Sequence, residues 1–349
     1  MATIKGLNAH DRPPERVREV YKKYLKIKLP EIDNDEDIVD LEKLDVDNLP
    51  SPFAISGFLD SKDLRLAFNE FMGRTGNSLS EGDRHGGVLI EDIPIFTHRK
   101  VSGLHMIPSL YPPTVQSKLL DLMIHRDLSA PEHQTNLHLH YDIEYPQAPD
   151  QSPISFFEAD PTSTFAPKDP HVHKPITIQA MLDKKLRWIT LGGQYNWTTK
   201  VYPEGQPPPF PTDIAHLLRA AFPETDAQAA IVNFYSANDT LSMHRDVSEQ
   251  CDTGLISVSF GCDALFMISH DAGDGCEVIR LRSGDAVYMS GPSRFAWHGV
   301  PKIIPETCPD WLRDWPGSNY PYWQGWMGRK RVNLNVRQMM ESRAPAEQI

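Results

Sequence analysis

Three triplets in this chain place a histidine two residues ahead of an aspartate: His125-Arg126-Asp127, His140-Tyr141-Asp142 and His244-Arg245-Asp246. Residues i and i+2 of a strand project to one face, so an imidazole and a carboxylate at this spacing can meet at a point. One further histidine would complete a two-histidine, one-carboxylate triad with three open metal positions, the arrangement of non-haem Fe(II) oxygenases. Context separates the three. His125 follows Val115 to Ile124, where Leu119, Leu120, Leu122 and Met123 mark an amphipathic helix after Pro112-Pro113. It reads as a residue at a helix C-terminus, where a cation is favoured. His140 sits in NLHLHYDIEYP, which runs into a proline-rich loop and lacks the companions that a metal motif needs. His244 follows IVNFYSANDTLSM, a strand pattern and a polar turn, and is the expected metal ligand with Asp246.

Only His270 and His298 come after Asp246. His270 lies in SHDAGDGCE, a turn, which would hold a ligand loosely. His298 lies in the strand-like SRFAWHGVPKI and is the expected third ligand. The last strand, Arg331 to Arg337, alternates strictly. Val332, Leu334 and Val336 share one face, and Arg331, Asn333, Asn335 and Arg337 the other. A strand with one polar face is ordinarily half exposed. Two arginines beside two amides also fit an anion site in a barrel mouth, because the guanidinium fork binds carboxylates bidentately and two forks suit a dicarboxylate.

His244-x-Asp246, a distal His298 and Arg331-x-Asn333-x-x-x-Arg337 resemble the AlkB family of Fe(II)/2-oxoglutarate dioxygenases. Asn233-x-Tyr235 ahead of the triplet is similar to that family's co-substrate pair. GLHMIPSLYPPTVQSKLL is similar to its opening strand and helix, and LRWITLGGQYNW followed by FPTD to its nucleotide-recognition lid. The resemblance covers roughly residues 100–340, and the lid, HRDVSE and SVSFG are most like the AlkB homologue 1 branch. It implies Fe(II) held by His244, Asp246 and His298, with 2-oxoglutarate as co-substrate and O2 as oxidant. It implies that Arg331 takes the distal carboxylate with help from Tyr235 and Asn233. Arg337 would lie near the chelating end, and Asn333 would support the co-substrate or the substrate pocket. The implied reaction is oxidative demethylation of N-methylated bases in DNA or RNA, tRNA included, with release of succinate, CO2 and formaldehyde. The same chemistry on a protein such as a histone, or a noncatalytic scaffold, are the alternatives. Tyr195 and Trp197 could stack on an extruded base, and Lys184, Lys185, Arg187 and Lys200 give the lid positive charge. Two departures stand out. Ser248 occupies a position where family members acting on 1-methyladenine often carry an acid, and PETCPDWLRDWPGSNYPYWQGW inserts a long loop before the last strand.

These side chains need a scaffold. The 349 residues carry a net charge of −12 and 40% hydrophobic residues, enough for a large core. No apolar run approaches the ~18 residues of a spanning helix, so no membrane partner is expected. The charged N-terminus is not a secretory signal. Cys251, Cys262, Cys276 and Cys308 lack CxxC spacing, which points to a reducing compartment, nucleus or cytoplasm. The acidic balance argues mildly against nonspecific nucleic-acid binding. Residues 1–95 read as a partly helical, acidic extension, 96–341 as the oxygenase domain with its core at about 227–341, and 342–349 as a tail. Helices are expected over Val17 to Lys28, Phe53 to Phe71 and Thr212 to Phe222. Pro146 to Pro175 is expected as a surface loop. From Ile231 onward, short strands broken by Gly and Asp turns predict an antiparallel sandwich or barrel. The fold class that the resemblance implies is α+β, mainly β: a double-stranded β-helix, or jelly roll, with buttressing helices and an N-terminal extension.

Overall fold

The computed structural model describes residues 6–8, 10–74, 91–196, 202 and 206–341. In chain order its strands are β1 (Ile38–Asp40), β2 (Phe53–Leu59), β3 (Ile93–His98), β4 (Val101–Ile107), β5 (Thr164–Phe165), β6 (Ile176–Thr177), β7 (Trp188–Gly192) and β8 (Ala229–Ser236). Then follow β9 (Leu241–His244), β10 (Leu255–Gly261), β11 (Ala264–Ser269), β12 (Cys276–Leu281), β13 (Ala286–Met289), β14 (His298–Ile303) and β15 (Lys330–Arg337). One sheet has the order β2-β3-β4-β13-β10-β15-β8-β7, and the other β1-β12-β11-β14-β9. Along β8 to β15 the chain switches repeatedly between the two sheets, which is the expected jelly roll.

The two faces of the larger sheet have different jobs. Val332, Leu334 and Val336 on β15, with Ile256, Val258 and Phe260 on β10, face outward into the main core. There they meet the helix Pro113–Leu120, its continuation Asp121–Asp127 and the helix Thr212–Arg219, whose Leu119, Met123, Ile214 and Leu218 are buried. The opposite face of β15 looks into the sandwich. One end of that interior is apolar, filled by Phe96, Leu104, Met106, Phe266, Ile268, Val287 and Met289. The other end is polar and open.

Several expectations are corrected. Phe53 to Phe71 is not one helix but β2 followed by the helix Ser61–Phe71. Asp60 divides them as a cap, its carboxylate accepting from the Lys62 and Asp63 amides, which satisfies two otherwise orphaned donors. Pro146 to Pro175 is irregular apart from β5, which pairs with β6 just beyond it, but it is no simple surface loop. It buries Phe156, Phe157 and Phe165 in the main core. The N-terminal arm is woven into the fold. Helix Glu15–Lys26 buries Val17 and Tyr24 against the outer face of the smaller sheet. β1 extends that sheet by parallel pairing with β12, and the expected boundary after residue 95 falls inside β3.

Candidate metal and co-substrate site

The smaller sheet assembles the three expected metal ligands. β9 ends on His244 and β14 begins on His298, and the two are cross-strand partners. Their ring centroids lie 4.4 Å apart. Gly299 permits this approach, since a Cβ there would stand 2.7 Å from the Leu241 carbonyl oxygen and 3.1 Å from the Met243 amide. Asp246 corrects the strand argument, because it lies in the loop beyond β9 rather than on it. Its Oδ1 is nonetheless 3.5 Å from His244 Nε2, and ligand atoms of all three residues fall within 4.8 Å of one another.

The protonation states suit a cation. His244 Nδ1 donates to the Ser242 carbonyl at 3.0 Å and His298 Nδ1 to the Ala296 carbonyl at 3.0 Å. A carbonyl can only accept, so each ring carries a proton on Nδ1, and Nε2 is the nitrogen left to face a metal. Burial, with His244 alongside, pushes His298 down to about 3, so it is neutral at ordinary pH. Burial alone would raise the Asp246 carboxyl, but Arg337, the two histidines and Arg294 outweigh it and hold the group below the usual carboxylate range.

β15 supplies the wall opposite. Arg331 is 1% exposed, and its Nη2 donates to Ser259 Oγ at 3.0 Å. Its guanidinium lies 5.2 Å over the Tyr235 ring. Nε and Nη1 find no partner among the described protein groups. Asn333 is largely occupied, donating to Ser257 Oγ and the Val258 carbonyl and accepting from Asn335 at 2.7 Å. Arg337 binds the Asp246 carboxylate through Nη2 and Glu249 through Nε, and its Nη1 has no hydrogen-bond partner among the described residues. These residues enclose a cavity of about 390 Å³ shared by His244, Asp246, His298, Asn233, Arg331, Asn333 and Arg337. That is within the usual range for small-ligand sites.

The 2OG-Fe(II) oxygenase superfamily model matches residues 155–337, which include every one of these side chains. The chain is 44% identical over 360 residues to the N6-methyladenosine RNA demethylase ALKB1 of Pyricularia oryzae, across 96% of this chain and 98% of that one.

The chain belongs to the AlkB family of 2OG-Fe(II) oxygenases.

It is also 55% identical over 223 residues to the N6-methyladenosine RNA demethylase ALKBH of Cryphonectria parasitica, covering 59% of this chain and 100% of that protein. Identity to the tRNA demethylase abh1 of Schizosaccharomyces pombe is 40% over 265 residues, covering 73% and 85%. These relatives place it in the AlkB homologue 1 branch.

The donor set fits the groups that this family implies. Two imidazoles and a carboxylate leave open positions for Fe(II). A buried guanidinium whose donors are unmet among the described residues is costly unless an anion meets it, and a carboxylate of 2-oxoglutarate would be such an anion. The competing triplets do not converge on a metal. His125 is no helix-end cation. It stacks on Tyr320 at 4.5 Å and on Trp315 at 5.1 Å, and burial pushes it down to about 4. His140 faces His173, and His270 bonds Asp274 and Glu277 in its turn.

At the mouth, Tyr195 lines the cavity and its hydroxyl is 3.3 Å from Ser248 Oγ. Trp197 and Lys200 lie outside the described residues. Arg187 of the basic lid set is engaged by Asp239. Sequence reasoning missed Tyr202, which lines the cavity edge-on to Tyr195 with centroids 5.3 Å apart; an aromatic seven residues on in the same lid was the available signal. It also missed Glu249 and Arg294, which no spacing rule marks. The inserted loop is structural. Trp315, Trp323 and Trp326 are buried around Phe157, on the far side of the larger sheet from the cavity.

Proposed function

We propose that this protein oxidatively demethylates N-methylated adenine in RNA, using Fe(II), 2-oxoglutarate and O2. The observation that carries the chemistry is the single cavity in which a three-ligand metal triad faces a buried arginine with unpaired donors. The substrate reading follows the relatives named as N6-methyladenosine RNA demethylases and as a tRNA demethylase. It is supported by the two tyrosines at the mouth, since an extruded base needs an aromatic face to stack on.

Bound Fe(II) would supply the oxidising chemistry that turns 2-oxoglutarate, O2 and an N-methyl group into succinate, CO2 and an N-hydroxymethyl group that leaves as formaldehyde. The chain's part is binding, orientation and exclusion of water. His244, Asp246 and His298 would hold the metal. Arg331, backed by Tyr235 and Ser259, would fix the distal carboxylate. Asn233 and Asn333 would form the cavity wall beside the co-substrate, and Arg337 would hold Asp246 while presenting Nη1 towards the chelating end. Tyr195 and Tyr202 would confine the base.

The test is succinate release with Fe(II), 2-oxoglutarate and O2 on RNA oligonucleotides carrying N6-methyladenosine. Methylated DNA, tRNA and histone peptides serve as rivals and His244→Ala as control. Turnover on RNA that disappears in the variant is expected. Turnover on peptides with none on nucleic acid would overturn the substrate reading.

A further inference from the structure

Glu249 and Arg294 are almost wholly buried beside the site, at 6% and 1% exposure. Neither belongs to the metal triad, and neither bonds Arg331. Arg294 lies in the turn Gly291–Phe295, four residues ahead of His298. Each guanidinium nitrogen has one acceptor: Nε donates to the Thr253 carbonyl at 3.1 Å, Nη1 to the Asp246 carbonyl at 2.8 Å and Nη2 to Glu249 Oε2 at 2.8 Å. The other carboxylate oxygen of Glu249 lies 3.2 Å from Arg337 Nε as an ion pair, and Arg337 in turn binds the Asp246 side chain. Three side-chain ion pairs therefore link Arg294, Glu249, Arg337 and Asp246 in a row, and the Asp246 main-chain carbonyl closes the circuit by accepting from Arg294.

We propose that Arg294 and Glu249 are a positioning clamp that sets Asp246 and Arg337 against the two histidines. The need for one follows from where Asp246 sits. Residues 245–254 have no regular secondary structure, and a ligand on a free loop is held too loosely for a metal site. Arg294 pins that loop at Asp246 and at Thr253. Because it also precedes His298 by one turn, it ties the loop of one ligand to the strand of another. Glu249 has a separate task. It shares the charge of Arg337, so that Asp246 is not that arginine's sole counter-ion and keeps Oδ1 turned towards His244. A buried ion pair is weak evidence of stabilisation in itself, since apolar residues of similar volume often serve as well. Three acceptors spread over one loop are what a positional role requires.

The inference rests on the metal site proposed above, and its test reads metal binding rather than turnover. Full-length Arg294→Lys and Glu249→Gln are compared with wild type for Mn(II) affinity by calorimetry and for thermal unfolding. Leu110→Ala, a remote core change, reports the effect of general destabilisation. A lysine carries the charge but cannot span three acceptors. Both clamp variants are expected to remain folded and to bind Mn(II) roughly 10- to 100-fold more weakly, as losses behind metal ligands do, while Leu110→Ala keeps wild-type affinity. Wild-type affinity in folded Glu249→Gln and Arg294→Lys, or an equal loss in Leu110→Ala, would overturn the clamp. If Arg294→Lys fails to fold, Glu249→Gln alone decides. Failure of wild type to bind Mn(II) would overturn the metal reading, and the clamp with it.

Discussion

At the scale of single residues, the site trades stability for binding, and Arg331 shows it most directly. Its guanidinium is buried with two N–H groups that no described protein atom accepts. Leaving such a donor unmet costs about 1–3 kcal/mol, and more when the group is charged. Arg331→Met should therefore leave the co-substrate-free protein no less stable, or raise its stability by about 1–3 kcal/mol, read as a higher urea midpoint. The same variant should raise the 2-oxoglutarate KM by roughly 10- to 150-fold, the worth of a charge-assisted bond of about 1.5–3 kcal/mol, with Mn(II) affinity unchanged. Loss of metal affinity in step with co-substrate affinity would show that Arg331 has another role. The triplet His244-Arg245-Asp246, His298 and the arginine-faced strand were legible because ligand chemistry and strand period each limit the options. Glu249 and Arg294 were not, because their partners stand 45 positions apart in the chain and only the fold brings them together.

At the scale of elements, the inserted loop of residues 305–327 and the helix ending at Asp127 are joined through His125. The imidazole donates to or accepts from Ser155 at 2.8 Å, stacks on Tyr320 and Trp315, and meets the edge of Phe157. Burial lowers it from 6.5 to about 4. A group whose folded value is depressed binds protons more readily when unfolded, so its contribution to stability is complete above 6.5. It is lost as pH falls from 6.5 towards 4. At pH 5 that loss is about 2 kcal/mol. His125→Gln should remove it: the stability gap between pH 7 and pH 5, measured by urea unfolding, should narrow by about 2 kcal/mol relative to wild type. An unchanged gap would mean that the ring is already solvated. The sequence marked this helix and the strands after Ile231, where the apolar period is unambiguous. It misjudged Phe53 to Phe71, where apolar residues fit both periods and Asp60 was the one divider. It also put Asp246 on a strand, because spacing alone cannot say where β9 stops.

At the scale of the whole molecule, the acidic N-terminal extension is held to the fold by a few well-placed apolar anchors. Those anchors are Val17, Tyr24, Ile27, Ile32 and Leu41, all buried. Val17, Tyr24, Ile27 and Ile32 cover Met243, Leu265, Met267 and Val278 on the smaller sheet, the sheet that carries His244 and His298, with Trp297 and Ile304 flanking β14, while Leu41 packs in the apolar cluster inside the sandwich. Its acids are spent within the protein, Asp33 on Arg280 and Asp40 and Glu42 on Arg282. Five buried side chains at about 1.5–3 kcal/mol each amount to roughly 7–15 kcal/mol before ordering costs, as large as the net stability of a typical domain. A protein beginning at residue 51 should therefore not fold as an independent oxygenase core. It should expose the outer face of the metal-bearing sheet, aggregate on expression and fail to bind Mn(II). Asp40→Ala, which leaves Arg282 without its bidentate partner, is the gentler form of the same test. It should cost about 1.5–3 kcal/mol in urea unfolding while the folded fraction keeps its metal affinity. A soluble, cooperatively unfolding, Mn(II)-binding fragment from residue 51 would show instead that the jelly roll is complete without the arm, and that the burial seen on that face contributes little to the site.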